Sequence, residues 1–226
     1  TQTYQLLSTL DQNKNPLSLV FSPAARAKTI FVRNWLSYTK CSYIESMSAA
    51  ETRYMYCPIC ATPLSKQQVN GENRRACTNP SCDYVEWNNP TPVLAAIAQT
   101  GNSVVLVQAI GWPKDWFGLV TGFHESGETA EEGVAREVEE ELGLGCRVVS
   151  LVGVYSFFQL NQVIIAFHVL LDKGDITLDK TELVDYKKIP IEKLQPWPSG
   201  TGKAVQDWLK TKGIEKETMS FLRTKK

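Results

Sequence analysis

From Pro92 onward the chain alternates short apolar runs with polar punctuation, and the runs are too short and too rich in branched residues to be helices. Pro92 to Ala98, Ser103 to Ala109 and Phe117 to Val120 are separated by Gly101-Asn102 and Trp112-Pro113, and they read as strands joined by turns. Arg147 to Phe158 and Val163 to Leu171 are longer runs of Val, Ile and Phe, which predict core strands. A strand around Glu182 to Ile189 and a helix around Thr201 to Lys212 complete the series. Between the third and fourth runs the period changes. Val134, Val138 and Leu142 recur every four residues, the apolar stripe of a helix that docks on a core.

That helix has both ends marked. Thr129 is placed to cap its N-terminus, Glu131 and Glu132 suit the positive end of the helix dipole, and Gly143 follows the last turn. Glu137, Glu140 and Glu141 stand at i, i+3 and i+4, so three carboxylates share another face. Like charges at that spacing weaken a helix, and a bound divalent cation reverses the cost. Mg²⁺ prefers oxygen ligands and bridges protein carboxylates to substrate phosphates, so the expected partner is a metal-bound diphosphate. The residue types alone leave open an ordinary solvated acidic face.

Gly122 to Leu144 reads GFHESGETAEEGVAREVEEELGL and fills every fixed position of G-x5-E-x7-R-E-U-x-E-E-x-G-U, where U is a bulky aliphatic residue. The segment resembles the Nudix hydrolases. The resemblance implies an α/β fold, a Nudix α/β/α sandwich, and hydrolysis of a nucleoside diphosphate linked to another moiety. It implies that Glu137, Glu140 and Glu141 hold Mg²⁺ or Mn²⁺, one of them also serving as base, while Arg136 and Glu128 hold the loop-helix-loop in shape. In many relatives a later acidic residue joins the metal site. Glu182, in TELVDY, is the candidate here, with Asp185 behind it.

Upstream, Cys57-Pro-Ile-Cys60 and Cys77-Thr-Asn-Pro-Ser-Cys82 form C-x2-C-x16-C-x4-C, the spacing of a closed, structural four-cysteine zinc site. The alternatives are two disulfides or cysteines that are simply buried. Gly71 and the polar stretch Ser65 to Arg75 suit a loop between the two knuckles. A zinc ribbon leading into a Nudix box resembles the NADH pyrophosphatase branch. That branch carries S-Q-P-W-P-F-P-x-S shortly after the box, where this chain reads YSFFQLNQVIIAF. Its Gln-Pro-Trp-Pro-Ser run comes later, at Gln195 to Ser199, and reads as a turn entering the last helix.

The expected activity is therefore a Mg-dependent pyrophosphatase acting on a substrate of the NADH, FAD or ADP-ribose type. The alternatives are an RNA 5′-cap pyrophosphohydrolase and a non-hydrolytic nucleotide-sensing module. Trp112, Trp116, Phe117 and Tyr155 are aromatic candidates for the substrate, and Phe157 and Phe158 are the two selected as base-stacking residues, because alternation puts a ring on each sheet face. His124 in the box loop and His168 in a strand have no partner pattern that suggests a catalytic dyad.

Composition narrows the partners. The 226 residues carry 24 Lys+Arg against 24 Asp+Glu, so no net positive charge favours nucleic acid. No run approaches the roughly 20 apolar residues of a membrane span. With no apolar signal core and with Cys41 and Cys146 outside the ribbon, an intracellular, cytoplasmic location is the default expectation; an organellar one stays open because the chain begins at Thr1. The expected organisation is an N-terminal module over 1–53, a zinc ribbon over 54–88, a Nudix domain over 89–213 and a tail over 214–226. The first segment, with Leu6, Leu7, Leu17, Val20, Trp35 and Leu36, could pack on the ribbon or pair two copies into a homodimer.

Overall fold

The computed structural model describes residues 54–219. The segment before residue 54, expected to pack on the ribbon or to pair two copies, and Cys41 lie outside the described residues. The chain forms a small three-stranded antiparallel sheet from β1 (Leu64–Val69), β2 (Glu72–Cys77) and β3 (Val85–Glu86). It is followed by a six-stranded sheet from β4 (Thr91–Thr100), β5 (Ser103–Ala109), β6 (Val120–Phe123), β7 (Cys146–Phe157), β8 (Gln162–Leu171) and β9 (Leu183–Pro190). Helix α1 (Ala130–Leu142) connects β6 to β7, and α2 (Gly202–Thr211) follows β9. The large sheet runs β7-β8-β4-β5-β9, with β6 also paired to β4.

Strand β4 is the centre of the sandwich. It pairs in parallel with β8 and antiparallel with β5 and β6. A strand buried on both faces reads as a continuous apolar run, and Val93 to Ala98 are all buried. Alternation along the strand then divides the core in two. Val93, Ala95 and Ile97 pack with Leu106, Ile164, Val205, Trp208 and Leu209 beneath α2. Leu94, Ala96 and Ala98 pack with Val105, Phe167, Val134, Val138 and Leu142 beneath α1. The three layers are those of the expected α/β/α sandwich.

Three sequence expectations are corrected. Arg147 to Phe158 is not a core strand. The corresponding β7 is the sheet's edge, no residue of it is fully buried, and Leu151 and Val154 are 54% and 59% exposed. Its length and apolar content resemble those of β8, and only its place in the strand order separates the two. The third run forms a strand later than expected. Pairing with β4 begins at Val120 and extends to Phe123, while Gly118 makes only an isolated bridge to Val107. The polar stretch Ser65 to Arg75 is a hairpin and not a loop. Asn70 and Gly71 both have positive φ, 53° and 84°, the backbone of a two-residue turn between β1 and β2 that Asn-Gly favours.

Candidate metal and phosphate site

The site is built where β6 passes into α1. Thr129 caps the helix in a reciprocal box: its hydroxyl accepts from the Glu132 N–H, and the Glu132 carboxylate accepts from the Thr129 N–H. At the other end Gly143 adopts φ 66° and donates its N–H to the Glu139 carbonyl. With both ends fixed, the register of the glutamates against β6 is set. A side chain at Gly122 would overlap the Glu137 carboxylate, because a Cβ there would lie 1.9 Å from Cδ. Glycine at 122 therefore lets the Glu137 carboxylate lie directly against the strand.

Arg136 organises the loop before the helix. Its Nε and Nη2 donate to the two Glu128 oxygens, each at 2.9 Å, and Nη2 also donates to the Phe123 carbonyl at 3.0 Å. Nη1 donates to Glu137 at 2.6 Å and to Glu140 at 3.3 Å. The Glu125 N–H donates to Glu128 as well, at 2.9 Å. These bonds, the Arg136 fork foremost, hold the Glu128 carboxyl down at about 2. His124 contacts the Glu128 carbonyl from the same loop.

Glu141 is in the opposite situation. It is 5% exposed, and its Oε2 has no hydrogen-bond partner. Burial, then the charges of Glu137 and Glu182, push its carboxyl up to about 9. Glu137 is also raised, chiefly by burial, with Glu140 and Glu182 adding repulsion. Glu182, just before β9, thus acts electrostatically on two of the helix carboxylates, although 40 residues or more of sequence separate it from them. Its backbone is pinned there by bonds to Ile110 and Asp179. Buried, mutually repelling carboxylates with an unsatisfied oxygen fit a hard divalent cation.

In the ribbon, the Sγ atoms of Cys57, Cys60, Cys77 and Cys82 all lie within 4.8 Å of one another. Cys57 to Cys82 is 3.7 Å and Cys60 to Cys77 is 3.4 Å. Tetrahedral ligands at the usual Zn–S bond length stand about 3.8 Å apart, whereas a disulfide closes to about 2 Å. All four are free thiols with the arrangement that suits zinc, and the disulfide alternative falls. They form the only group of this kind among the described residues, so the helix carboxylates are less tightly gathered than the cysteines.

Phe157 and Phe158 end β7 and start the 3-10 turn that follows it. Phe157 packs on the core beneath α2, whereas Phe158 is 86% exposed. Both line a cavity of about 450 Å³ whose other wall is Trp197, Pro198, Ser199, Gly200 and Lys203. The sequence reading of Gln195 to Ser199 as a turn missed this second role. Its signal was a tryptophan fixed between two prolines directly ahead of a helix.

A mixed sheet between two helices, with an arginine-braced loop leading into a glutamate-bearing helix, is the structural class of the Nudix proteins. The NUDIX domain family model matches residues 89–208, and the chain belongs to that family. Among similar proteins is an NAD-capped RNA hydrolase NudC of Pseudomonas entomophila, 24% identical over 164 residues, 73% of this chain and 58% of that protein. The NudC of Pseudomonas fluorescens is 25% identical over 162 residues, 72% of this chain and 57% of its own length. The chain thus spans less than two thirds of these curated relatives. A Nudix hydrolase structure from Nitrosomonas europaea superposes with a TM-score of 0.61 at 22% identity, covering 74% of this chain and 97% of that one. Among the described residues no helix is long and apolar enough to cross a membrane.

Proposed function

We propose that this chain is a divalent-metal-dependent pyrophosphatase that hydrolyses a nucleoside diphosphate linked to a second moiety, of the NADH, FAD or ADP-ribose type. The observation that carries the reading is the group of Glu137, Glu140 and Glu141 on one helix, with Glu141 buried and lacking a counter-charge and Glu182 brought toward them from β9. Glu137, Glu140, Glu141 and Glu182 would hold Mg²⁺ or Mn²⁺. Bound there, the ion would neutralise phosphate charge and acidify a water molecule.

The chain's own residues do the rest. Arg136 and Glu128 keep the loop after β6 in one shape, so that the helix carboxylates meet the substrate preorganised. In the net reaction a water oxygen forms a new bond to one phosphorus and the bridging P–O bond breaks. The water's protons pass to a carboxylate and on to solvent, leaving a nucleoside monophosphate and a second phosphomonoester. The zinc ribbon is assigned to folding and not to catalysis, and the domain limits at 54, 89 and 213 are part of the same proposal.

A second reading follows from the relatives, which are named for hydrolysis of NAD-capped RNA. The same bond is broken when the dinucleotide is the 5′ end of an RNA. Both readings are tested by product analysis with Mg²⁺ or Mn²⁺ and a panel of NADH, NAD, FAD, ADP-ribose, diadenosine polyphosphates and capped RNA, with Glu140→Gln as the blank. Release of a nucleoside monophosphate by the intact protein alone supports hydrolysis, and the preferred compound chooses between the readings. Nucleotide binding without turnover would instead favour a sensor.

A further inference from the structure

Glu182 reaches the helix carboxylates from a segment with no regular structure of its own. Residues 172–182, between β8 and β9, read DKGDITLDKTE and cross the C-terminal end of α1. A helix leaves its last carbonyls without partners. Here the crossing segment supplies donors: the Thr177 N–H donates to the Leu142 carbonyl at 2.8 Å, and the Asp179 N–H donates to the Glu141 carbonyl at 3.2 Å. Ile176 and Leu178 pack against the core that contains Val138 and Leu142. The approach is close. A Cβ at Gly143 would lie 2.9 Å from the Thr177 carbonyl oxygen, so glycine suits that position by contact as well as by its φ of 66°.

Within this segment Asp179 is the link. Its N–H holds the helix at Glu141, and its carbonyl accepts from the Glu182 N–H at 3.1 Å and from the Leu183 N–H at 2.9 Å. Its Oδ1 accepts from the Thr181 N–H at 2.8 Å and from the Thr181 hydroxyl at 2.7 Å, the side-chain turn that aspartate favours. One residue thus ties the main chain of Glu141 to that of Glu182. The far side is fixed by the Ile110 N–H, which donates to the Glu182 carbonyl at 2.8 Å. An ordinary surface turn needs only the bonds between Asp179 and Thr181. The bond to Glu141 joins this turn to the carboxylate site. Glu141 and Glu182 repel each other, and a free backbone would let them spread before a cation arrives. Ligands ordered in advance lose less freedom on binding.

We propose that Asp179 is a positioning residue of the metal site: its turn with Thr181 holds Glu182 in place against Glu141, so that carboxylates from a helix and from a loop take up one divalent cation. The proposal rests on the metal assignment of the pyrophosphatase reading. Asp179 acts through the main chain of the two glutamates and is not itself assigned as a ligand.

The probe is Mn²⁺ alone, titrated into the zinc-loaded protein and followed by electron paramagnetic resonance of the free ion. Asp179→Ala should raise its Kd roughly ten- to a hundredfold, the range for changes just outside a metal's ligands. Asp179→Asn keeps a side-chain oxygen for the Thr181 donors and should bind Mn²⁺ like the parent. In a Glu182→Gln background, where the positioned ligand is gone, Asp179→Ala should add no further loss. Thr181→Val, at an exposed position, removes only the hydroxyl bond and stands in if Asp179→Ala does not fold. It should give a smaller rise in Kd that also vanishes in Glu182→Gln. A parent-like Kd in Asp179→Ala, or in Thr181→Val where that stands in, overturns the positioning role and leaves the metal site standing. So does an Asp179→Asn variant as weak as the alanine one, or a loss that persists in Glu182→Gln. Mn²⁺ binding without hydrolysis of any compound in the panel overturns the pyrophosphatase reading alone. A parent protein that takes up no Mn²⁺ overturns the metal site and the role of Asp179 with it.

Discussion

Arg136 grips Glu128 at two points, Nε to Oε2 and Nη2 to Oε1, both at 2.9 Å. The guanidinium fork is what makes this possible, and a lysine ammonium cannot reproduce it. Arg136→Lys should therefore destabilise the protein by about 1.5–3 kcal/mol, the range for hydrogen bonds to charged groups, as read from urea unfolding. The pair also sets a pH dependence. Glu128 has its pKa depressed in the folded state to about 2, so its contribution is fully present above the unfolded value near 4.5 and is lost as pH falls toward 2. Arg136→Lys should flatten that acid limb. An unchanged slope between pH 5 and 3 would mean the pair does not carry it.

The carboxylates of α1 predict separate effects on activity and stability. Glu140→Gln should lower turnover by at least about a hundredfold, because several kcal/mol of charge stabilisation depend on the ion, while circular dichroism stays that of the parent. Surviving activity would displace the metal site.

Glu141 allows a sharper test, because its buried carboxylate has an oxygen with no partner. Millimolar Mg²⁺ or Mn²⁺ should raise the melting temperature of the parent protein, since a ligand bound only by the folded state stabilises it. Glu141→Gln should lose most of that rise without being less stable than the metal-free parent, in which burial already disfavours the charged carboxylate. Equal shifts in both proteins would place the cation elsewhere.

Much of this site was legible in the sequence because it is local. The capping box at Thr129, the Gly143 cap and the spacing of Glu137, Glu140 and Glu141 all lie within one helix, where a 3.6-residue period turns spacing into position. Glu182 could be reached only through the family resemblance, since nothing local to it indicates which strand it precedes. The edge position of β7 and the meeting of Trp197 and Phe158 on one cavity were not legible. They depend on strand order and on the return of the chain after β9, and the apolar content of a run is the same for an edge as for a centre. The β1–β2 hairpin was readable from Asn70-Gly71, but the polar residues on either side of it lack the alternation that marks a half-buried strand.

The four cysteines make a prediction about folding. Cys57 and Cys77 are the buried members of the ribbon's small core, which otherwise consists of Leu64 with Cys82 and Tyr84 at its margin. So little apolar surface is a weak core for three short strands, and a zinc ion held by the four cysteines would contribute to keeping them together. Cys57→Ser should abolish stoichiometric zinc in elemental analysis and leave residues 64–86 open to proteolysis. Full zinc content with a protected ribbon would remove the four-cysteine assignment.

His168 predicts a second pH effect, independent of the carboxylates of α1. It is 8% exposed, its Nε2 lies 2.8 Å from the Gln99 side-chain oxygen, and its ring is 5.2 Å from that of Trp208. Burial lowers its pKa, and the positive charges of Lys212 and Arg147 lower it further. The folded state therefore keeps His168 neutral at a pH where the unfolded chain already binds a proton. The unfolded chain holds more protons in that window, so stability falls as pH drops through and below about 6.5. The urea midpoint should decrease between pH 7.5 and 5.5, and His168→Gln, which removes the titrating group, should show a smaller decrease over the same interval. Because zinc release and the carboxylates act equally in both proteins, the difference between the two slopes isolates His168. If the slopes coincide, the imidazole is protonated as readily inside the fold as outside it, and its burial beside Trp208 carries no proton linkage.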